Sequence, residues 1–327
     1  MKRRYFHRHT IFFLAFILSL TTIPLQTYAA TSQTDSIENM YMTHYYPATG
    51  RTEAYTYTFD SATRATYSND TQISFESPYT PPTKAIHSSG SSRSLIGEDN
   101  RSLVEDVTQS PYCKIVYIRA VYSYGTRRGT GVLIGPDLVL TCGHLIYDID
   151  TDEWAESYEI YTEATNPANY EEFCYALRVT VHNNYINNSN YYYDWAFIQT
   201  STDIGNRQGW MGFSYHANPT DFVGSTIEIA GYPRVNPATG LTNNLDMYTH
   251  SGNIIACPSK YTVHTYADAT DGQSGSPYFD GNQFVWAVHR GGNSNSNPTY
   301  NVGTKIIPEL FHVLRAAKNE GIAKWGN

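Results

Sequence analysis

From about Lys114 onward, apolar and polar positions alternate in short runs, the period of a strand with one buried face. Lys114 to Val121 alternates and is rich in β-branched residues. Gly129 to Ile134 forms a second run, and Gly135-Pro136-Asp137 turns the chain into a return strand at Leu138 to Thr141. Further strands fit Leu177 to Val181, Trp195 to Thr200, Thr226 to Ala230, Phe284 to His289 and Gly303 to Ile307, with Asp280-Gly281-Asn282 as a turn ahead of one of them. Only the end of the chain reads as a helix. Pro308 opens it, and Leu310, Phe311, Val313, Leu314 and Ala317 share one face. Many short strands with one terminal helix predict an all-β barrel or sandwich.

The first ninety or so residues have a different character. Lys2, Arg3, Arg4 and Arg8 precede an apolar run from Ile11 to Leu20, and small residues follow at Ala29 and Ala30. That order predicts a secretory signal over 1–29, cleaved after Ala29, and an extracellular location. The alternative, an uncleaved anchor, needs about 20 apolar residues, more than this run offers. Residues 30–93 are rich in Thr, Ser and Tyr, carry the Pro78, Pro81, Pro82 cluster, and end in Ser88-Ser89-Gly90-Ser91-Ser92-Arg93. This is linker composition, without the sustained periodicity that builds a core, and it predicts a pro-segment with an exposed cleavage site at its end.

Composition narrows the choice of partner. The net charge of -8 argues against nucleic acid, since a polyanion is bound by a basic face. Cys113, Cys142, Cys174 and Cys257 show no C-x-x-C spacing, so neither a zinc site nor a thioredoxin-like motif is supported. They are read either as up to two disulfides, in one of three connectivities, or as buried free thiols.

Three segments carry chemistry. In Asp271-Gly272-Gln273-Ser274-Gly275-Ser276-Pro277, Ser274 sits on a tight glycine turn where a nucleophilic hydroxyl can be exposed. The amides of Gly272 and Ser274 are placed to stabilise an oxyanion. Thr141-Cys142-Gly143-His144 sets a histidine at the end of an apolar strand, where a rigid scaffold can aim a general base. Asp194, in Tyr193-Asp194-Trp195, stands at the mouth of another apolar strand. A carboxylate there is costly to bury unless a donor such as an imidazole N–H satisfies it. The chain order His144, Asp194, Ser274 is that of the chymotrypsin-like enzymes, not of subtilisins or nucleophile-elbow hydrolases.

Beyond these motifs, the chain resembles the bacterial glutamyl endopeptidases from about Ser94 to Phe311. The likeness is carried by Ser94-Leu95-Ile96-Gly97, Ile204-Gly205-Asn206, Gly212-Phe213-Ser214-Tyr215, Gly231-Tyr232-Pro233, the serine motif, Ala287-Val288-His289 and Tyr300-Asn301-Val302-Gly303-Thr304-Lys305-Ile306. The resemblance implies an all-β, chymotrypsin-like double β-barrel with a C-terminal α-helix. The protease domain would span 94–327, its barrels about 94–200 and 201–307, with the active site between them. It implies a mature enzyme beginning at Ser94, released by an activating protease cutting after Arg93, whose α-amino group helps bind an acidic P1 side chain. His289 takes the position of the family's specificity histidine, and Ala269, Gly291 and Gly292 fall at the pocket and substrate-strand positions.

This sequence also departs from the family pattern. Ala269 stands five residues before Ser274, where Thr or Ser is usual; Arg290 adjoins His289; and Cys142 precedes His144, where a cysteine after the histidine is usual. Asp268 suggests a second reading, basic or broad P1 preference, because trypsin selects Lys or Arg with an acid at that spacing. A third reading, a secreted non-catalytic adhesion or toxin-like module, draws on the surface rich in Tyr, Asn and Ser. The expectation taken forward is a monomeric serine endopeptidase acting on proteins or peptides, preferring Glu and then Asp at P1, and requiring no cofactor or metal.

Overall fold

The computed structural model describes residues 37–61, 63–64, 74–81, 99–165, 169–216, 218–236, 240, 245–293 and 299–326. All of them belong to one compact unit. The predicted signal segment and the Arg93–Ser94 junction lie outside the described residues.

The chain opens with β1 (Met40–Tyr46), β2 (Arg51–Tyr57), β3 (Ser74–Glu76) and the short β4 (Ser102–Leu103). Next come β5 (Ile115–Tyr122), β6 (Gly125–Leu133) and β7 (Leu138–Thr141), a small hairpin of β8 (Tyr147–Asp148) and β9 (Glu153–Trp154), then β10 (Ser157–Thr162), β11 (Glu172–His182) and β12 (Ala196–Thr200). After β13 (Gly212–Tyr215) follow β14 (Thr226–Gly231), β15 (Tyr248–Ser259), β16 (Thr262–Thr265), β17 (Pro277–Phe279), β18 (Phe284–Gly292) and β19 (Asn301–Lys305).

Two antiparallel barrels of six strands result. One runs β10-β5-β6-β7-β12-β11 and closes through β10–β11; the other runs β17-β14-β15-β16-β19-β18 and closes through β17–β18. Closure leaves no long ladder unpaired, which is the advantage of a barrel over an open sheet.

Strands β5, β7 and β12 of the first barrel are apolar on both faces for a physical reason. On β5, Val116, Ile118, Ala120 and Tyr122 pack with Leu133, Val139, Val179, Val181 and Ile198. Ile115 and Tyr117, pointing the other way, join a second apolar cluster with Leu138, Leu140, Trp195 and Phe197. The C-terminal helix Pro308–Trp325 contributes Leu310, Phe311, Val313, Leu314 and Ala317 to that second cluster, the face its sequence period predicts. Ile227, Ile229, Ile254, Val263, Tyr278 and Ala287 form the separate core of the other barrel.

Residues 30–93 do more than their linker composition predicts. β1 pairs with β2 and also with the second half of β11, in the register Met42↔His182 to Tyr45↔Val179. β3 pairs with β13, and Tyr79 bridges to Trp210. Ile37, Met40, Met42 and Phe59 are buried in the cluster shared with the C-terminal helix. The alternation was present in Met40-Tyr41-Met42-Thr43, but Met and Tyr carry it in place of β-branched residues. None of the four cysteines forms a disulfide: Cys113, Cys142 and Cys174 are buried and Cys257 is partly so.

Candidate active site

β7 ends at the buried Thr141, and a four-residue helical turn, Gly143–Ile146, then holds His144. A Cβ on Gly143 would lie 3.1 Å from Asp194 Oδ1, so glycine is what admits the carboxylate at this distance. Asp194 ends the 3-10 turn Tyr191–Tyr193, just before β12, and is 0 % exposed. Both of its oxygens are used by one residue. Oδ1 accepts the His144 amide at 2.9 Å, and Oδ2 lies 2.9 Å from His144 Nδ1. Burial acts to raise the Asp194 pKa, but the His144 charge and these hydrogen bonds outweigh it, leaving the carboxyl below its ordinary range. For His144 burial acts to lower the pKa; the Asp194 carboxylate, with Cys142 second, carries it well above 6.5. The carboxylate thereby fixes which nitrogen holds the proton and stabilises the imidazolium.

Ser274 lies on the loop between β16 and β17, bracketed by glycines in the left-handed region, Gly272 at φ +91° and Gly275 at φ +84°. A Cβ on Gly275 would lie 2.2 Å from Thr130 O. The loop is pinned from several sides. Thr130 N–H donates to Ser274 O at 2.8 Å, and Thr130 Oγ1 donates to Gly272 O at 3.2 Å. Gly275 N–H donates to His289 O, and His289 N–H donates to Ser276 O. From the N-terminal side, Arg101 Nη1 donates to Thr270 Oγ1 and Gln273 Oε1 at 2.6 and 2.5 Å, its side chain only 3 % exposed. Among the described residues, the amides of Gln273, Gly275 and Ser276 are hydrogen-bonded within the loop or to His289, whereas those of Gly272 and Ser274 have no partner. Two free amides, one on either side of Gln273, beside the half-buried Ser274 suit a developing oxyanion.

His144, Gly272 and Ser274 line one cleft of about 440 Å³, together with Arg127, Arg128 and Arg234. The structure therefore joins His144 to Asp194 directly and brings Ser274 onto the same cleft. Among the described residues no hydrogen bond links Ser274 Oγ to His144, whose Nε2 lies 3.5 Å from Cys142 Sγ. Ala269 is partly buried against the core of the second barrel. His289 is 3 % exposed, with Nδ1 3.0 Å from Tyr278 Oη. Burial, with the nearby His144 and Arg290 charges, pulls its pKa down to about 3, so its ring is neutral. Gly291 and Gly292 pair with Val302 and Asn301 of β19, while the pairing of β17 along β18 reaches only to Val288. Ser94 is outside the described residues. Thr130 and Arg101 escaped the sequence reading because neither belongs to a local motif; each acts on a partner far along the chain.

Comparison with known proteins agrees with this fold. The trypsin family model matches residues 107–310. The chain is 32 % identical to the glutamyl endopeptidase of Bacillus licheniformis, over 73 % of this chain and 72 % of that protein. It is 27 % identical to a protein of Bacillus subtilis named extracellular metalloprotease, over 69 % and 70 % of the two chains. A solved Glu endopeptidase structure, in complex with MPD, superposes with a TM-score of 0.61 at 28 % identity, covering 69 % of this chain and 99 % of that one. The chain belongs to the trypsin family of chymotrypsin-like serine endopeptidases, among the bacterial glutamyl endopeptidases.

Proposed function

We propose that this serine endopeptidase uses His144, Asp194 and Ser274 as its triad and cleaves preferentially after glutamate, then aspartate. It is exported, made as a zymogen, activated by another protease cutting after Arg93, and active as a monomer. The observation that carries the reading is the fully buried Asp194, which gives both oxygens to His144 on the cleft that also holds Ser274. In this scheme Ser274 Oγ attacks the scissile carbonyl while His144 takes its proton and returns it to the leaving amine. Asp194 stays ionised and holds the ring. The amides of Gly272 and Ser274 receive the oxyanion, and the segment ending in Gly291 and Gly292 offers backbone to the substrate as an added strand.

Acidic preference is supported by the identity to a glutamyl endopeptidase and by the arginines lining the cleft. His289, kept neutral, contributes as a hydrogen-bond donor, not as a cation: Tyr278 occupies Nδ1, leaving Nε2 for a carboxylate. The basic-P1 reading rests on Asp268. That residue is 1 % exposed, and its amide is tied to His250 Nδ1 at 2.9 Å, which favours a structural role over a place in the pocket.

The test is P1 profiling of the secreted protein on a peptide library, with N-terminal sequencing of the active form and Ser274→Ala alongside. Preference for Glu, lost in the variant, with Ser94 as first residue, supports the whole reading. Activity lost in the variant but indifferent to Glu retains the triad and removes the specificity. Full activity of an uncleaved Arg93→Gln protein removes the zymogen.

A further inference from the structure

Cys142 is a buried thiol that the hydrolytic chemistry does not use, and it touches the one nitrogen that chemistry needs. Its Sγ lies 3.5 Å from His144 Nε2, and Asp194 holds the other ring nitrogen. Among the described residues, Cys142, His144 and Asp194 are the sole group of three or more metal-ligating residue types whose ligand atoms all lie within 4.8 Å of one another. The spacing has a specific meaning. Two ligands of a tetrahedral zinc, with Zn–S about 2.3 Å and Zn–N about 2.0–2.1 Å, sit about 3.5 Å apart. The Sγ–Nε2 pair therefore has the bite of two zinc ligands without rearrangement. Asp194 supplies what histidine ligands usually require, a carboxylate on the opposite nitrogen that fixes the tautomer and aims the free lone pair. His144 borders the cleft, its side chain 30 % exposed, so the ion has a route from solvent.

We infer that Cys142 Sγ and His144 Nε2 form a binding site for a thiophilic divalent cation of the zinc class, and that occupancy switches the peptidase off. On binding, the thiol proton leaves to solvent, a sulfur–metal and a nitrogen–metal bond form, and no electrons are transferred. Water from the cleft completes the coordination. Occupied, Nε2 has no lone pair with which to accept a proton from Ser274. Binding stands on the geometry of Cys142 and His144 alone, whereas inhibition rests on the proposal that His144 is the general base.

The experiment titrates cadmium into the secreted protein in its active form, reading the ultraviolet thiolate-to-cadmium band, and in parallel measures inhibition of peptide cleavage. Cys142→Ala is carried beside it, each protein referred to its own metal-free rate. Circular dichroism checks the fold, and Cys142→Ser replaces the alanine variant should that not fold. The expected result is a band saturating near one equivalent in the parent and absent from the difference spectrum of the variant. The inhibition midpoint should rise at least roughly tenfold in the variant, as loss of a metal contact does. Equal bands in parent and variant would place cadmium on Cys113, Cys174 or Cys257 and overturn the site. A Cys142-dependent band with cleavage unaffected would retain the site and overturn His144 as the base.

Discussion

The amide of Thr130, on the first barrel, donates to the carbonyl of Ser274, on the loop of the second, at 2.8 Å. The Thr130 side chain reinforces this link, donating to Gly272 O at 3.2 Å and accepting the Tyr232 amide at 3.0 Å. A residue of one barrel thus holds the turn on which the other barrel carries its hydroxyl. Thr130→Val keeps the shape but leaves the buried Tyr232 amide without its acceptor. The expected cost is about 1–3 kcal/mol of stability. Because the same change loosens Gly272, kcat should fall more than KM rises. Denaturant unfolding and steady-state kinetics measure both.

Gly275 has its own requirement. At φ +84°, with Thr130 O 2.2 Å from the site of a Cβ, no L side chain fits without moving the Ser274 turn. Gly275→Ala should lower both the melting temperature and kcat/KM, and labelling by a serine-directed phosphonylating reagent should slow in parallel. Parent-like labelling would show that the turn tolerates the shift.

The pH profile follows from the His144–Asp194 pair. His144 holds its proton more tightly in the folded protein than its ordinary value of 6.5, since Asp194 outweighs the effect of burial. The pair's contribution to stability is therefore present below pH 6.5 and lost as pH rises through the raised folded-state value. Activity has the opposite sense, because the base must be neutral. The acid limb of kcat/KM is expected above pH 6.5 in the parent. Asp194→Asn should move that limb down and lower kcat on the order of 10⁴-fold, as the equivalent change does in chymotrypsin-like enzymes.

Arg101 reaches from the N-terminal segment to Thr270 and Gln273, ahead of Ser274. It touches no substrate in the proposed scheme, so it is a positioning residue. Arg101→Ala should reduce kcat by about ten- to a hundredfold, the usual sensitivity to a small displacement of a reacting group. KM for a short peptide should hardly change, and Arg101→Lys should recover part of the loss by restoring one donor. A uniform rise in KM would place Arg101 in binding instead.

Met42 tests the unexpected strands. It is fully buried in the cluster shared with the C-terminal helix. Met42→Ala should destabilise the full chain by about 2–5 kcal/mol, the range for truncating a buried methionine. A neutral result would mean that the hairpin folds onto the barrel without contributing to its stability.

Chemistry was more legible in this sequence than packing. The three segments proposed to carry the chemistry, around His144, Asp194 and Ser274, are local: glycines flank the serine turn, and the histidine follows a strand end. The C-terminal helix was legible because Leu310, Phe311, Val313, Leu314 and Ala317 keep one period over consecutive turns. β15 was not: Tyr248–Ser259 includes Thr, His, Ser, Asn and Pro, and its pairings with β14 and β16 make it a strand. Thr130 and Arg101 look like ordinary polar residues in sequence, since what distinguishes them is a partner more than a hundred positions away. Cys142 was visible as a departure from the family pattern; its closeness to His144 Nε2 required the fold.

The hairpin of β1 and β2 has a consequence for solubility. β11 closes the first barrel against β10 with its first half, and its second half, Val179 to His182, is paired by β1. The outermost strand is then β2, whose Arg51, Thr52, Glu53 and Ala54 are exposed and which carries both signs of charge. Charge of this kind discourages another chain from adding to the ladder. A form of the enzyme lacking residues 40–57 would expose Val179–His182 as an open strand edge, a template for association between copies. Keeping the hairpin in place after any cut near Arg93 would thus serve the colloidal behaviour of the protein as much as its folding.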